Sequence, residues 1–377
     1  AKGTYTDAGA SASDILDGNL TGSVTSVNAV NTDSVGSYTV TYSVSDANGN
    51  AAASVVRTVN VVDTTKPVIT LLGTATETVE AKITYADAGA SASDTLDGSL
   101  TATSVSTVNI DAVGSYTVTY SVSDANGNAA ANVVRTVVVV DTTKPVITLL
   151  GSVTETLEAK GTFTDAGASA SDTLDGSLTA TSVSTVNTDA VGNYTVTYSV
   201  SDANGNAAGS VVRTVIVVDR TKPVITLLGR ATETVEAKGT YADAGASASD
   251  TLDGSLTVTS VSTVNTDVVG SYSVTYSVSD ANGNAAASVV RTVSVVDTTK
   301  PVITLLGNVT ETVEVKGTYT DAGASASDTL DGSLTVISLS TVNTDAVGSY
   351  SVTYSVSDAN GNAAADVVRT VSVVDTT

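Results

Sequence analysis

Aspartate and asparagine side chains recur at fixed spacing along this chain and could together hold a hard cation. The segment Ser-Asp-Ala-Asn-Gly-Asn occurs at 45–50, 123–128, 201–206, 279–284 and 357–362, so its copies lie 78 residues apart. Each copy offers one carboxylate and two amide side chains, whose oxygen atoms are the ligand type that Ca²⁺ prefers. A repeat of this length with strand-like patterning indicates tandem small β domains.

The recurring segment lies between two stretches that are typical of β-strands. Residues 116–122 alternate between apolar and hydroxyl side chains, and residues 133–140 are rich in valine. Two such stretches joined by a turn that contains Gly127 predict an antiparallel hairpin. Earlier in the same repeat, the pattern predicts a first strand at 68–72 that continues at 77–82 after a break at Gly73, and further strands at 85–92 and 100–108. No stretch has helical periodicity, so we predict an all-β, two-sheet sandwich.

Proline marks the boundaries between repeats. All four prolines of the chain end a linker that begins with aspartate, as in Asp63 to Pro67. Proline fixes φ and favours extended geometry in the residue before it, so we expect short, stiff linkers. The predicted repeats are 63–140, 141–218, 219–296 and 297–377, preceded by a truncated copy at 1–62 that lacks its first strand.

Strand direction predicts where the acidic segments meet. With five alternating strands, the chain leaves each repeat at the end opposite to its entry, which predicts an extended linear array. The linker, the loop at 94–98 and the turn at 124–128 then lie together at the entry end. Their carboxylates repel one another unless a cation lies between them, and Ca²⁺ accepts six to eight oxygen ligands in flexible geometry. A cation at this place would stiffen the joint between two repeats.

The predicted calcium ligands repeat at four joints. They are Asp63, Asp94, Asp97, Asp124, Asn126 and Asn128; Asp141, Asp172, Asp175, Asp202, Asn204 and Asn206; Asp219, Asp250, Asp253, Asp280, Asn282 and Asn284; and Asp297, Asp328, Asp331, Asp358, Asn360 and Asn362. The same residues could instead only shape tight turns, with no cofactor bound, because the segment lacks the bidentate glutamate that ends an EF-hand calcium loop. Near-identity of the copies does not decide between these readings.

Composition excludes several classes of function. The chain of 377 residues has a net charge of −23 and contains no Cys, His, Met or Trp. It therefore has no zinc site of the usual ligands and no Ser–His or Cys–His nucleophile pair, and we expect no enzymatic activity. An acidic field of this size repels nucleic acid and anionic membranes, and no apolar run is long enough to insert into a bilayer. We interpret the chain as a fragment whose neighbours are further repeats of one longer protein.

Two basic positions have more than one interpretation. Arg135 shares the inward parity of Val133 and Val137, which predicts either a bulge or an arginine at the rim of the core, paired with an acid such as Glu80. Lys82, repeated at Lys160, Lys238 and Lys316, could form a Lys–Asn amide crosslink in a dry core or could be an exposed edge lysine.

Five motifs together resemble a known family. KPVITLLG, ETVEAK, TYADAGASASDTLDGSL, VGSYTVTYSVSDANGNAA and VVRTV follow one another in a repeat, and the pattern covers essentially the whole chain. It resembles the bacterial immunoglobulin-like (Ig-like) repeats of large surface adhesins and secreted proteins, a module also seen in pesticidal crystal proteins and close to the hyalin repeat. Ala88 stands where that family often has proline, and Asp111, Gly114 and Tyr116 resemble the tyrosine corner of Ig-like folds.

The resemblance implies tandem Ig-like β-sandwich domains in a secreted or bacterial cell-surface protein, with a spacer or adhesive role and no catalysis. We expect a structural stalk segment, stiffened by Ca²⁺ at the joints. Two alternatives remain: a module that binds glycan or protein, and a subunit of a self-assembling filament. Host or cell-surface glycans and proteins would be bound through domains outside this chain.

Overall fold

A computed structural model describes residues 1–377. The chain consists of short β-strands and one 3-10 helix, Thr21–Ser23. It divides into two compact units, one containing residues 1–153, 165–184 and 196–213 and the other containing residues 154–164, 185–195 and 214–377.

Nineteen strands precede residue 219. Residues 1–62 contain β1 (Ser13–Asp14), β2 (Gly18–Asn19), β3 (Thr25–Asn28), β4 (Gly36–Ser43) and β5 (Val55–Val61). Residues 63–140 contain β6 (Val68–Leu71), β7 (Thr76–Glu80), β8 (Ala90–Asp94), β9 (Gly98–Leu100), β10 (Thr103–Ser106), β11 (Gly114–Ser121) and β12 (Val133–Val140). Residues 141–218 contain β13 (Val146–Leu149), β14 (Thr154–Glu158), β15 (Ala168–Asp172), β16 (Gly176–Leu178), β17 (Thr181–Ser184), β18 (Gly192–Ser199) and β19 (Val211–Val218).

The last two repeats follow the same order. Residues 219–296 contain β20 (Val224–Leu227), β21 (Thr232–Glu236), β22 (Ala246–Asp250), β23 (Gly254–Leu256), β24 (Thr259–Ser262), β25 (Gly270–Ser277) and β26 (Val289–Val296). Residues 297–377 contain β27 (Val302–Leu305), β28 (Thr310–Glu314), β29 (Ala324–Asp328), β30 (Gly332–Leu334), β31 (Ile337–Ser340), β32 (Gly348–Ser355) and β33 (Val367–Val374).

Each complete repeat contains two sheets. In residues 63–140 a three-stranded sheet has the order β6-β8-β9 and a four-stranded sheet the order β10-β11-β12-β7. All of these pairs are antiparallel except β7 with β12, which is parallel. Ile69 and Ala92 of one sheet pack against Val118, Tyr120 and Val137 of the other. The prediction of an all-β, two-sheet sandwich is confirmed.

Alternation along β11 builds the inner face of the four-stranded sheet. Val118 and Tyr120 are buried, whereas the alternating Thr117 and Thr119 are half-buried on the outer face. After β11 the chain turns through Gly127, whose φ of +87° is unfavourable for residues that carry a Cβ. The predicted hairpin of 116–122 and 133–140 is therefore present as β11 and β12.

Two predicted strands were wrong. The strand expected at 85–92 begins only at Ala90, because Gly89 has φ +84° and the preceding Asp87 side chain binds Tyr85 and Tyr120. The strand expected at 100–108 is divided into β9 and β10, which belong to different sheets. A repeat thus has seven strands instead of five, although its strand β12 still runs parallel to β7.

A buried arginine joins the two sheets. Arg135 is fully buried, and its Nη1 lies 2.9 Å from Glu77 Oε1 and 3.1 Å from Asp87 Oδ1. Its Nη2 donates to the carbonyl of Gly89 at 3.1 Å and to that of Leu72, which lie at the ends of β8 and β6. The pairing of β11 with β12 is continuous at this residue, so there is no bulge. The expected partner Glu80 was also wrong, and the guanidinium lies inside the core instead of at its rim.

The repeated lysine lies at the surface. Lys82 lies in the turn after β7 with a left-handed φ of +63°, and its Nζ lies 2.8 Å from Asp111 Oδ1. The side chains of Lys82 and Asp111 are 36% and 68% exposed. The partner is thus an aspartate in water, which favours the exposed lysine over a crosslink in a dry core.

Candidate metal centre at the repeat joints

Three elements bring carboxylates together at each joint, by which we mean a linker with the two loops that contact it. At the joint of residues 141–145, Asp141 follows β12, Asp172 ends β15 and Asp202 lies in the turn after β18. One carboxylate oxygen from each residue lies within 4.8 Å of the other two. All three residues are buried. The three segments predicted to meet therefore do meet.

Asp172 has a buried oxygen that no protein group satisfies. Its Oδ1 accepts hydrogen bonds from the backbone N–H of Leu174 at 2.7 Å and of Asp175 at 3.2 Å. Its Oδ2 is buried and has no hydrogen-bond donor. Because a buried carboxylate oxygen without a donor is costly, this atom is a candidate ligand for a cation.

Asp202 is held as an anion by the turn that contains it. Its Oδ1 accepts from the backbone N–H of Asn204 at 2.9 Å and of Asn206 at 2.8 Å, and its Oδ2 accepts from Asn206 Nδ2 at 2.8 Å. Burial raises the pKa of Asp202, but these hydrogen bonds outweigh that effect and hold the pKa below its usual value. The carboxylate therefore carries its charge at neutral pH.

The asparagines connect the linker to this turn. Asn204 Nδ2 donates to Asp141 Oδ2 at 2.9 Å, and Asn206 Nδ2 donates to the Asp141 carbonyl at 3.1 Å. Each asparagine thus turns its amide nitrogen toward the linker. Asp175 binds elsewhere, because its Oδ2 accepts from the backbone N–H of Ala203 at 2.8 Å. Coordination through the oxygens of these three residues stays a prediction.

The same cluster recurs at the other joints. Carboxylate groups within 4.8 Å are formed by Asp63, Asp94 and Asp124, by Asp219, Asp253 and Asp280, and by Asp297, Asp328 and Asp358. The aspartates equivalent to Asp172, namely Asp94, Asp250 and Asp328, each have a buried Oδ2 without a donor. At the third joint Asp253 takes part where Asp94 or Asp172 does elsewhere.

The linker is also bound from the preceding repeat, a contact that the sequence analysis missed. Glu80 Oε1 accepts from the backbone N–H of Thr142 at 2.7 Å and of Thr143 at 3.1 Å, and the two hydroxyls donate to the same carboxylate at 2.9 Å each. The available signal was a glutamate that recurs just before each repeated lysine. Its partners lie about 62 positions away, which local pattern does not reveal.

The comparison with protein families decides the relationship. The family described as "Bacterial surface protein, Ig-like domain" matches residues 2–61, 69–139, 147–217, 225–295 and 303–373. The chain belongs to this family. The resemblance inferred from the five motifs is thereby confirmed. No protein with a curated description matches the sequence significantly.

Solved structures resemble this surface Ig-like chain only weakly. The M60 catalytic domain with two CBM51 domains of Clostridium perfringens ZmpB matches at 16% identity and TM-score 0.18, over 93% of this chain and 39% of that one. The lipoprotein BT2262 of Bacteroides thetaiotaomicron matches at 13% identity and TM-score 0.19, over 60% and 99%. Domains 4–9 of surface layer protein SbsC match at 13% identity and TM-score 0.17, over 96% and 60%. Superpositions this poor support no functional argument.

The surface Ig-like repeats offer binding chemistry at their joints. Three carboxylates from separate segments can hold a divalent cation and thereby link a linker to two loops of the following repeat. None of the helical structure in the chain is long and apolar enough to cross a membrane.

Proposed function

We propose that this chain is a stalk segment of a large bacterial cell-surface or secreted protein, and that Ca²⁺ at its joints keeps successive repeats in fixed orientation. The family supports a surface location. The observation that carries the metal is the buried, donor-free Oδ2 of Asp94, Asp172, Asp250 and Asp328, which recurs at every joint. At three of the four joints this aspartate belongs to a cluster with two further carboxylates.

The ligand chemistry favours calcium over other ions. The candidate ligands are all oxygen atoms, which excludes the thiolate and imidazole sites typical of zinc and copper. Loops supply two of the three carboxylates, and Ca²⁺ tolerates the irregular geometry of loops better than Mg²⁺ does. Three negative charges in one buried cluster would repel one another, and a divalent cation neutralises most of that charge.

Uniformity of the joints supports a spacer over a binding module. The contacts of Asp141 with Asn204 and Asn206 recur for Asp219 with Asn282 and Asn284. A module that recognises a specific glycan or protein would be expected to carry one repeat with divergent loops. Adhesive contacts with a host or a neighbouring cell would then belong to domains outside this chain.

Calorimetry and small-angle scattering of the full chain test this function. We expect a higher unfolding temperature and a larger, better-defined maximum dimension in millimolar CaCl₂ than in excess EGTA. Replacing Asp94, Asp172, Asp250 and Asp328 together by Asn should abolish both differences. Asp14→Asn is the matched control, because Asp14 occupies the same position in the first repeat but is exposed. Identical curves in CaCl₂ and EGTA would refute calcium binding.

A further inference from the structure

At three joints, a glutamate of the repeat before the linker accepts hydrogen bonds from linker residues beside the metal cluster. Glu80, at the end of β7, receives the backbone and hydroxyl hydrogens of Thr142 and Thr143. Glu236 receives the same four bonds from Thr298 and Thr299, at 2.6–3.0 Å. Glu158 receives three, from the backbone of Arg220 and from Thr221. These contacts fix two consecutive linker residues against the preceding repeat.

One backbone N–H connects this glutamate to the metal cluster. The N–H of Thr143 points at Glu80 Oε1, 3.1 Å away, and also at Asp141 Oδ1, 3.2 Å away. The same shared hydrogen bond occurs at Thr221, between Glu158 and Asp219, and at Thr299, between Glu236 and Asp297. The glutamate therefore holds the donor that orients the cluster aspartate, while its own carboxylate stays bound to the linker.

We propose that Glu80, Glu158 and Glu236 are positioning residues for the calcium ligands Asp141, Asp219 and Asp297, so that loss of these glutamates weakens Ca²⁺ binding at the three joints. This inference rests on the proposed calcium function. It couples two repeats: the preceding one orients the ligand, and the following one supplies the rest of the site. By linkage, calcium bound at a joint must also strengthen the grip of the glutamate on the linker.

Titration of the full chain with CaCl₂, followed by calorimetry, tests the coupling. In the triple variant Glu80→Gln, Glu158→Gln and Glu236→Gln, we expect the Ca²⁺ affinity of three sites to fall by about tenfold, the lower end of the range by which partners that orient a ligand change metal affinity. Glu314→Gln is the matched control, because Glu314 binds Thr376 and no metal cluster follows it in this chain.

Two further measurements separate positioning from other effects. If the glutamates acted only through their negative charge, the difference in Ca²⁺ affinity between the triple variant and the unchanged chain would disappear at about 0.5 M KCl, where exposed charges are screened. If they orient the ligand, that difference should persist. A purely structural role would lower the unfolding temperature of the triple variant equally in EGTA and in CaCl₂, whereas positioning predicts a larger loss in CaCl₂.

The outcomes distinguish this inference from the function on which it rests. A triple variant with unchanged affinities would overturn the coupling and leave calcium binding intact. An effect that vanishes at high salt or is equal in EGTA would overturn it as well. No calcium binding at any joint would overturn both.

Discussion

Removal of the arginine that joins the sheets should destabilise a single repeat strongly. Arg135→Ala deletes a fully buried guanidinium that binds Glu77, Asp87 and two carbonyl groups. Breaking a buried ion pair by removal of one partner costs about 3–5 kcal/mol. Because the side chains of Glu77 and Asp87 are each 25% exposed, water partly replaces the guanidinium, which favours the lower end of this range. A repeat of this size is stabilised by only about 4–12 kcal/mol.

Hydrogen exchange read by mass spectrometry resolves this effect within the full chain. Peptides that contain Ile110 identify the repeat 63–140, because the following repeats have threonine at that position. Amide hydrogens in these peptides should exchange roughly 10²–10⁴ times faster in Arg135→Ala, since about 1.4 kcal/mol corresponds to a tenfold change in rate. Arg57→Ala is the matched control, because its side chain is 38% exposed and should matter less to the first repeat. Acceleration below tenfold, or equal losses in both variants, would refute the view that this guanidinium holds the sheets together.

Three further changes have defined signs. Tyr116→Phe removes the hydrogen bond from the Tyr116 hydroxyl to the Ala112 carbonyl and should lower the free energy of unfolding, measured with urea, by about 1 kcal/mol. An unchanged free energy of unfolding would contradict a tyrosine corner. The N–H of Thr142 holds the pKa of Glu80 below its usual 4.5. That contact should be intact at neutral pH and lost as pH falls through the lowered pKa, seen as an NMR shift of the Thr142 amide that Glu80→Gln abolishes. Asp172→Asn should raise the unfolding temperature in EGTA, by removing one of three repelling charges, and lower it in CaCl₂; the same sign in both buffers would contradict the metal site.

Local pattern predicted the parts of the fold that depend on neighbours in sequence. The hairpin of β11 and β12 follows from alternation and turn chemistry, and both were visible in the residues. The division of residues 100–108 into β9 and β10 could not be predicted from local pattern, because it depends on which strand each half pairs with: β9 pairs with β8 in one sheet and β10 pairs with β11 in the other. The parity of Arg135 left open a bulge or a position at the rim of the core, and the expectation that charge avoids a core hid its full burial. Fixed carbonyl groups and two carboxylates compensate that burial.

The candidate site was predictable to a similar extent. Counting strands brought the linker, Asp172 and Asp202 to one end of a repeat, where the structure also has them. The role of Glu80 was not predictable, because its partners belong to the next linker and the pairing depends on where β7 ends. Asp175 carries the same chemistry as Asp172, yet its carboxylate caps a neighbouring backbone N–H. Residue type alone does not distinguish these two aspartates.

The calcium content of the purified full chain tests the central claim most directly. After dialysis against micromolar free Ca²⁺ and metal analysis, we expect four ions per chain, one for each carboxylate cluster. Asp172→Asn should bind three, and Asp14→Asn should still bind four. A chain that binds no calcium, or a content that Asp172→Asn leaves unchanged, would contradict a stalk braced by metal at its joints.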